Sequence, residues 1–133
     1  MGASSVLLFA VPASPLAQPW NMVVGNTLAG VIGVSCALLI PNLTGAFSIA
    51  VALAIVLMMS TDSLHPPSGA VAITAVLGGK AVHDLGYMFV LYPVLLNSML
   101  LMFAAVIFNR LLGKQYPQKA QLNRRTAGPT PTQ

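Results

Sequence analysis

Charge is scarce in this sequence: only 6% of its 133 residues are Asp, Glu, Lys or Arg. An ordinary soluble domain carries about 25% charged residues. No residue of these types, and no histidine, occurs before Asp62. A soluble fold could not present such a stretch to water without large apolar patches. The composition therefore excludes a soluble enzyme and predicts an integral membrane protein in contact with the lipid bilayer.

Groups that could do chemistry are also few. Cys36 is the only cysteine, which excludes an intramolecular disulfide and a thiolate metal cluster. Two acids and two histidines leave little for paired carboxylates or a metal site. Ser63 or Ser68 beside His65 could be named a nucleophile and base, but nothing in the sequence shows that geometry. We predict no catalytic residue, no metal and no cofactor.

Basic residues are concentrated at the end of the last apolar segment and after it. Five of the six lie there, namely Arg110, Lys114, Lys119, Arg124 and Arg125. Such a cluster is typical of the cytoplasmic side of a multi-pass protein, as in a bacterial inner membrane or an equivalent one. It predicts a cytoplasmic C-terminus, with the loop from Lys80 to Asp84 on the opposite side. A nucleic-acid surface would need basic residues spread over a face among aromatics, so we expect no nucleic-acid partner.

Apolar segments fall into two length classes. Residues 20–40, 44–60 and 85–112 are long enough, or nearly so, to span a bilayer core. Residues 2–11 and 68–77 are too short, and runs of this length are typical of re-entrant or half-membrane helices. The sequence predicts an all-α membrane bundle of about three spanning and two short helices over residues 1–112. Residues 113–133 are predicted to be a basic, Pro-containing, disordered cytoplasmic tail.

Two patterns concern how these helices are arranged. Each short segment leads through a helix breaker to a spanning one, which hints at the internal repeats of many transporters, although small-residue runs also resemble each other by chance. Small residues also recur every four positions, which lines up one helical face and lets backbones approach closely in lipid. We expect tight packing within the chain or between copies, and favour a homo-oligomer. The stripes are Gly25, Ala29, Gly33 and Ala37, and Ala46, Ala50 and Ala54.

One polar segment, residues 60–70, lies between two apolar ones and carries the candidate site. Pro66 and Pro67 fit the first turn of a helix, where backbone N–H groups have no partner. The free donors would then come from Ser68, Gly69 and Ala70, and a helix N-terminus with free donors binds anions. The candidate binding residues are Asp62, His65, Pro66, Pro67, Ser68 and Gly69. The alternative is an interfacial turn in which Asp62 caps a helix and His65 faces water.

Polar residues within the third span allow two interpretations. Asn97 and Ser98 could line a pathway, although hydrogen bonding between helices is the commoner use of such residues.

Three blocks in order resemble one known family. Residues 62–70, Asp-Ser-Leu-His-Pro-Pro-Ser-Gly-Ala, look like the signature of the HPP family of integral membrane proteins. Residues 2–10 with 14–19, and Gly78-Gly79, are similar to it as well. The resemblance implies a small multi-helix membrane protein, described as four-spanning, with nitrite transport reported for plastid and cyanobacterial members. Family members usually have a helix before the Gly-Ala-Ser block at which this sequence begins.

These observations support two hypotheses of different classes. The first is a transporter or channel for a small inorganic anion such as nitrite. The second is a structural or regulatory membrane subunit of a larger assembly.

Overall fold

Helices account for the regular structure of residues 1–118, which the computed structural model describes. Within that range six α-helices are joined by short connections: α1 (Gly2–Ala10), α2 (Pro19–Leu39), α3 (Leu43–Ser60), α4 (Ser68–Leu77), α5 (Gly79–His83) and α6 (Leu96–Leu111). A 3-10 turn, Pro15–Ala17, precedes α2, and a π-helical segment, Val90–Leu95, runs directly into α6. No strand occurs in this part of the chain.

Three of these helical stretches are long and apolar enough to cross a membrane: α2, α3 and the continuous stretch Val90–Leu111. Helices α1 and α4 have only 9 and 10 residues. The predicted all-α membrane bundle with three spans and two short helices is confirmed.

The third span starts later in the sequence than predicted. It begins at Val90 rather than at residue 85, because a turn through Gly86, with φ of +50°, intervenes. The left-handed backbone at Gly86 suits a residue without Cβ and ends helical continuity there. The segment from Lys80 to Asp84, predicted as a loop, is largely the short helix α5.

Local chemistry explains where the spanning helices begin. Pro19 occupies the first turn of α2, where its missing N–H is not needed. The side-chain oxygen of Asn42 accepts a hydrogen bond from the Gly45 N–H at 2.7 Å and caps α3. Pro93 lies inside the π-helical segment. A proline cannot donate the usual helical hydrogen bond, and a widened turn is one way to accommodate it.

Helix α2 is central and packs closely against α3 and α4. At Gly33 an added Cβ would lie 2.6 Å from Ala75 Cβ and 2.7 Å from the Ala72 carbonyl oxygen, so the two backbones approach too closely for any side chain. The small-residue stripe of α3 faces the same core: Ala46, Ala50 and Ala54 are buried together with Ala29, and Ala37 packs at the edge. Both stripes thus contribute to packing within the chain.

Residues 113–118 differ from the disordered tail that the sequence predicted from residue 113 onward. Tyr116 is only 3% exposed, and its hydroxyl donates to the Ala17 carbonyl at 2.8 Å. The Gln118 N–H donates to Gln18 Oε1 at 2.9 Å. The ring of Tyr116 buries apolar surface here while its hydroxyl finds an acceptor. The rest of the predicted tail lies outside the described residues.

Candidate functional site

His65 is fully buried where three segments of the chain meet. Its Nδ1 lies 2.9 Å from the Leu16 carbonyl oxygen, in the 3-10 turn, and its Nε2 lies 3.0 Å from Ser4 Oγ on α1. A carbonyl only accepts, so Nδ1 carries the proton. In the neutral ring Nε2 is then an acceptor, and the Ser4 hydroxyl donates to it. The interpretation that His65 faces water is wrong.

Burial also determines the protonation state of His65. Removal from water disfavours the charged ring and lowers the pKa of His65, and the hydrogen bond to the Leu16 carbonyl opposes that shift. The net direction is downward. The imidazole is therefore neutral at pH 7.

Ser68 belongs to a second buried group of polar side chains that joins three helices. Its hydroxyl donates to Asn26 Oδ1 on α2 at 2.8 Å. Asn26 Nδ2 in turn donates to Ser98 Oγ on α6 at 2.9 Å. All three side chains are at most 1% exposed. Ser98 is thus used for hydrogen bonding between helices, the commoner of its two predicted uses.

The backbone donors at the start of α4 are not free, which corrects the sequence prediction. The N–H groups of Ser68, Gly69 and Ala70 donate to the carbonyls of His65, Pro66 and Pro67 at 2.8, 3.2 and 3.1 Å. Tight turns through the two prolines bring each carbonyl to the donor three residues later. A helix N-terminus whose N–H donors are engaged in this way has few free donors with which to bind an anion.

The remaining candidates lie nearer the surface. Asp62 is exposed at the end of α3, with φ of +49°, a left-handed conformation that Asp tolerates better than most residues. Pro66 is exposed, and Pro67 and Gly69 are half-buried. The predicted site residues therefore divide into buried structural groups, His65 and Ser68, and a surface turn.

A cavity of about 170 Å³ opens beside the Ser4–His65 pair. It lies between α1, α4 and the third span, and we call it the Ser4 cavity. Its polar side chains come from Ser4, Thr74 and Asn97, and no side chain among the described residues that line it is charged. Pro67 is the one member of the predicted site that reaches it.

The π-helical segment forms one wall of the Ser4 cavity. Phe89, Pro93 and Val94 line it, and Asn97 follows one turn later. Asn97 is exposed, and among residues 1–118 no hydrogen-bond partner is found for its amide. An unpaired amide in an apolar span is costly unless a solute, water or another chain satisfies it. The neighbours Asn97 and Ser98 therefore have different uses, one facing the cavity and one joining helices.

Sequence analysis missed two central residues. Ser4 was considered only as part of an N-terminal block, and Asn26 was not considered. An amide inside an apolar span is itself a signal, because polar groups at that depth need partners, and this signal could have identified Asn26. The Leu16 carbonyl that holds His65 is a backbone atom, so no residue type in the sequence marks it.

Comparison with known proteins agrees with the geometry of a membrane bundle. The sequence model described as "HPP, transmembrane region" matches residues 1–117. Two transmembrane proteins of Dictyostelium discoideum are each 38% identical over 120 residues, which is 86% of this chain. The chain spans only 42% and 38% of their lengths. No solved structure matches significantly.

Proposed function

Because this chain belongs to the HPP family of transmembrane proteins, we propose that it moves a small inorganic anion across the membrane and is not an enzyme. Nitrite is the first anion to test, since the family resemblance implies it. The observation that carries the proposal is the Ser4 cavity, a small space beside the third span with polar groups on an otherwise apolar wall.

The chemistry of the Ser4 cavity suits an anion better than a cation. The Asn97 amide offers N–H donors, and within residues 1–118 no carboxylate lines the space. A volume of about 170 Å³ has room for a small ion with a few water molecules. Donors in a site of low dielectric interact more strongly with charge than they would in water.

His65 supports the cavity rather than lining it. Ser4 stands between the cavity and the imidazole, and its hydroxyl is oriented by Nε2. The basic residues after the third span favour a cytoplasmic C-terminus, and the unpaired amide of Asn97 is compatible with an oligomer. We propose that the C-terminus is cytoplasmic and that the transporter is a homo-oligomer.

The test is anion influx into liposomes that contain the purified protein alone. Nitrite influx is measured beside nitrate and chloride, with protein-free liposomes as the baseline. We expect saturable nitrite influx that Asn97→Leu and Ser4→Ala reduce several-fold, because each removes a polar group from the cavity. Ser48→Ala, at an exposed position of α3, is the matched control and should leave influx unchanged.

Influx at the baseline with correctly folded protein would reject anion transport. Influx that persists unchanged in both cavity variants would instead place the path elsewhere in the molecule.

A structural or regulatory subunit is the second candidate, and one observation favours it. Three buried polar side chains form hydrogen bonds to other groups of the same chain, namely His65, Ser68 and Asn26. Such groups hold a bundle together without needing a solute. Purification from native membranes under mild detergent would test it, because a subunit would retain a stoichiometric partner.

A further inference from the structure

A second, smaller cavity lies at the other end of α4. Its volume is about 100 Å³, and its lining includes Leu38, Val82 and His83. We call it the His83 cavity. Leu38 is close to the C-terminal end of α2, which ends at Leu39. His83 is exposed, so this space is continuous with the molecular surface.

The two cavities lie toward opposite ends of α4, and Thr74 and Ala75, which are neighbours in that helix, line one cavity each. The Ser4 cavity also contains Asn97, the neighbour of the Ser98 that bonds to Asn26. Asn26 lies in the third turn of α2, whereas Leu38 lies in its last turn. At 1.5 Å per residue these positions are about 18 Å apart along the helix axis. Asn26 and Leu38 therefore lie toward opposite ends of a helix that is long and apolar enough to cross a membrane.

One apolar cluster contributes residues to the walls of both cavities. It consists of Val34, Ala75, Phe89, Val90 and Val94, all of them at most 6% exposed. Phe89 and Val94 also line the Ser4 cavity, whereas Val34 and Ala75 line the His83 cavity. We call this cluster the valine plug.

We propose that the anion path runs along α4 from one cavity to the other and that the valine plug is its gate. The identity of the transported ion rests on the proposed function. The separation of the two cavities can be tested without measuring transport. Apolar constrictions block ions by excluding water, so an ion would have to lose its hydration to pass. The plug as described is therefore the closed state.

Val90 is the plug residue that packs against Gly30 of α2. A Cβ added at Gly30 would lie 3.3 Å from Val90 Cγ2, so glycine at that position makes room for the valine. Val90 is also the first residue of the π-helical segment that contains Pro93. Rearrangement of this widened turn would move Val90 and Val94 together, because both belong to it.

Labelling of introduced cysteines tests the two-cavity arrangement directly. In a Cys36→Ala background, Thr74→Cys places a thiol in the Ser4 cavity and His83→Cys places one in the His83 cavity. A membrane-impermeant methanethiosulfonate is added to one side of oriented vesicles at a time. We expect the two thiols to react from opposite sides. Ser48→Cys on exposed α3 is the lipid-facing control and should not react.

A polar substitution in the valine plug tests whether the plug is the gate. Val90→Thr keeps the shape of the side chain and adds a hydroxyl, so it should hydrate the constriction and raise nitrite influx several-fold. Val56→Thr, at an exposed position of α3, is the matched control and should not change it.

The outcomes separate this inference from the proposed function. Labelling of both thiols from the same side, or of neither, overturns the path whatever is transported. Opposite labelling without anion influx in wild type or in Val90→Thr keeps the two cavities but rejects anions as the cargo and the plug as an anion gate. Wild-type influx that Val90→Thr leaves unchanged retains transport and rejects the gate.

Discussion

At the scale of single residues, His65 links three segments that are far apart in the sequence. Ser4 and Leu16 bind its two ring nitrogens, and Gly25 of α2 packs behind it, since a Cβ there would lie 3.1 Å from His65 Cβ. None of these three contacts titrates. A charged ring would lose the Ser4 donor, because Nε2 would then itself carry a proton.

Acid should therefore weaken the fold through His65. Its pKa in the folded protein lies below the ordinary value of 6.5, so the unfolded chain binds a proton at a higher pH than the folded one. The contribution of neutral His65 to stability is complete above about pH 6.5 and is lost as the pH falls through the folded pKa. We expect the Tm in detergent to fall between pH 7 and pH 5.

The matched comparison is His65→Gln against His83→Gln. His65→Gln should flatten the pH dependence of Tm, whereas His83→Gln, at an exposed ring, should keep the wild-type slope. An equal slope in wild type and His65→Gln would contradict a buried neutral imidazole.

At the scale of helices, hydropathy and proline placement predicted most of the bounds. The short helix α4 has its predicted ends at Ser68 and Leu77, and α2 differs by one residue at each end. The site was predicted less well, because pairs such as Ser4–His65 and Asn26–Ser98 join residues separated by 61 and 72 positions. A single sequence carries no signal for such distant pairs. The turn bonds of Ser68 to Ala70 also depend on backbone geometry that residue types alone do not reveal.

Close approach of α2 to the segment that joins α3 and α4 gives a prediction about packing. At Gly25 an added Cβ would lie 2.8 Å from the Ser63 carbonyl oxygen, a backbone atom that cannot move aside easily. Gly25→Ala should therefore destabilise the protein by about 1–3 kcal/mol, the usual cost of overpacking. The measurement is reversible unfolding by SDS in mixed micelles.

Gly69 provides the control, because nothing lies within 4 Å of a Cβ added there. Gly69→Ala in the first turn of α4 should be neutral or stabilising, by up to about 1 kcal/mol. Equal destabilisation by both substitutions would mean that the close approach of Ser63 does not govern the response at Gly25, because helix propensity favours alanine at both positions.

At the scale of the whole molecule, the 3-10 turn before α2 connects both ends of the described chain to the site. Its Leu16 carbonyl binds His65, the Ala17 carbonyl binds Tyr116, and the next residue, Gln18, accepts the N–H of Gln118. The segment after the third span is thereby held against the same turn that orients the imidazole.

Removal of the Tyr116 hydroxyl tests this connection. Tyr116→Phe leaves the buried Ala17 carbonyl without its donor, at a cost of about 1–3 kcal/mol. Tyr92→Phe is the control and should cost little, because Tyr92 is 67% exposed.

Burial raises the pKa of Tyr116 to about 12, and the ionised ring cannot donate to a carbonyl. Wild-type stability should therefore fall as the pH rises from about 10 to 12. The difference in unfolding free energy between wild type and Tyr116→Phe should shrink over that interval, and a constant difference would show that the hydroxyl does not hold the turn.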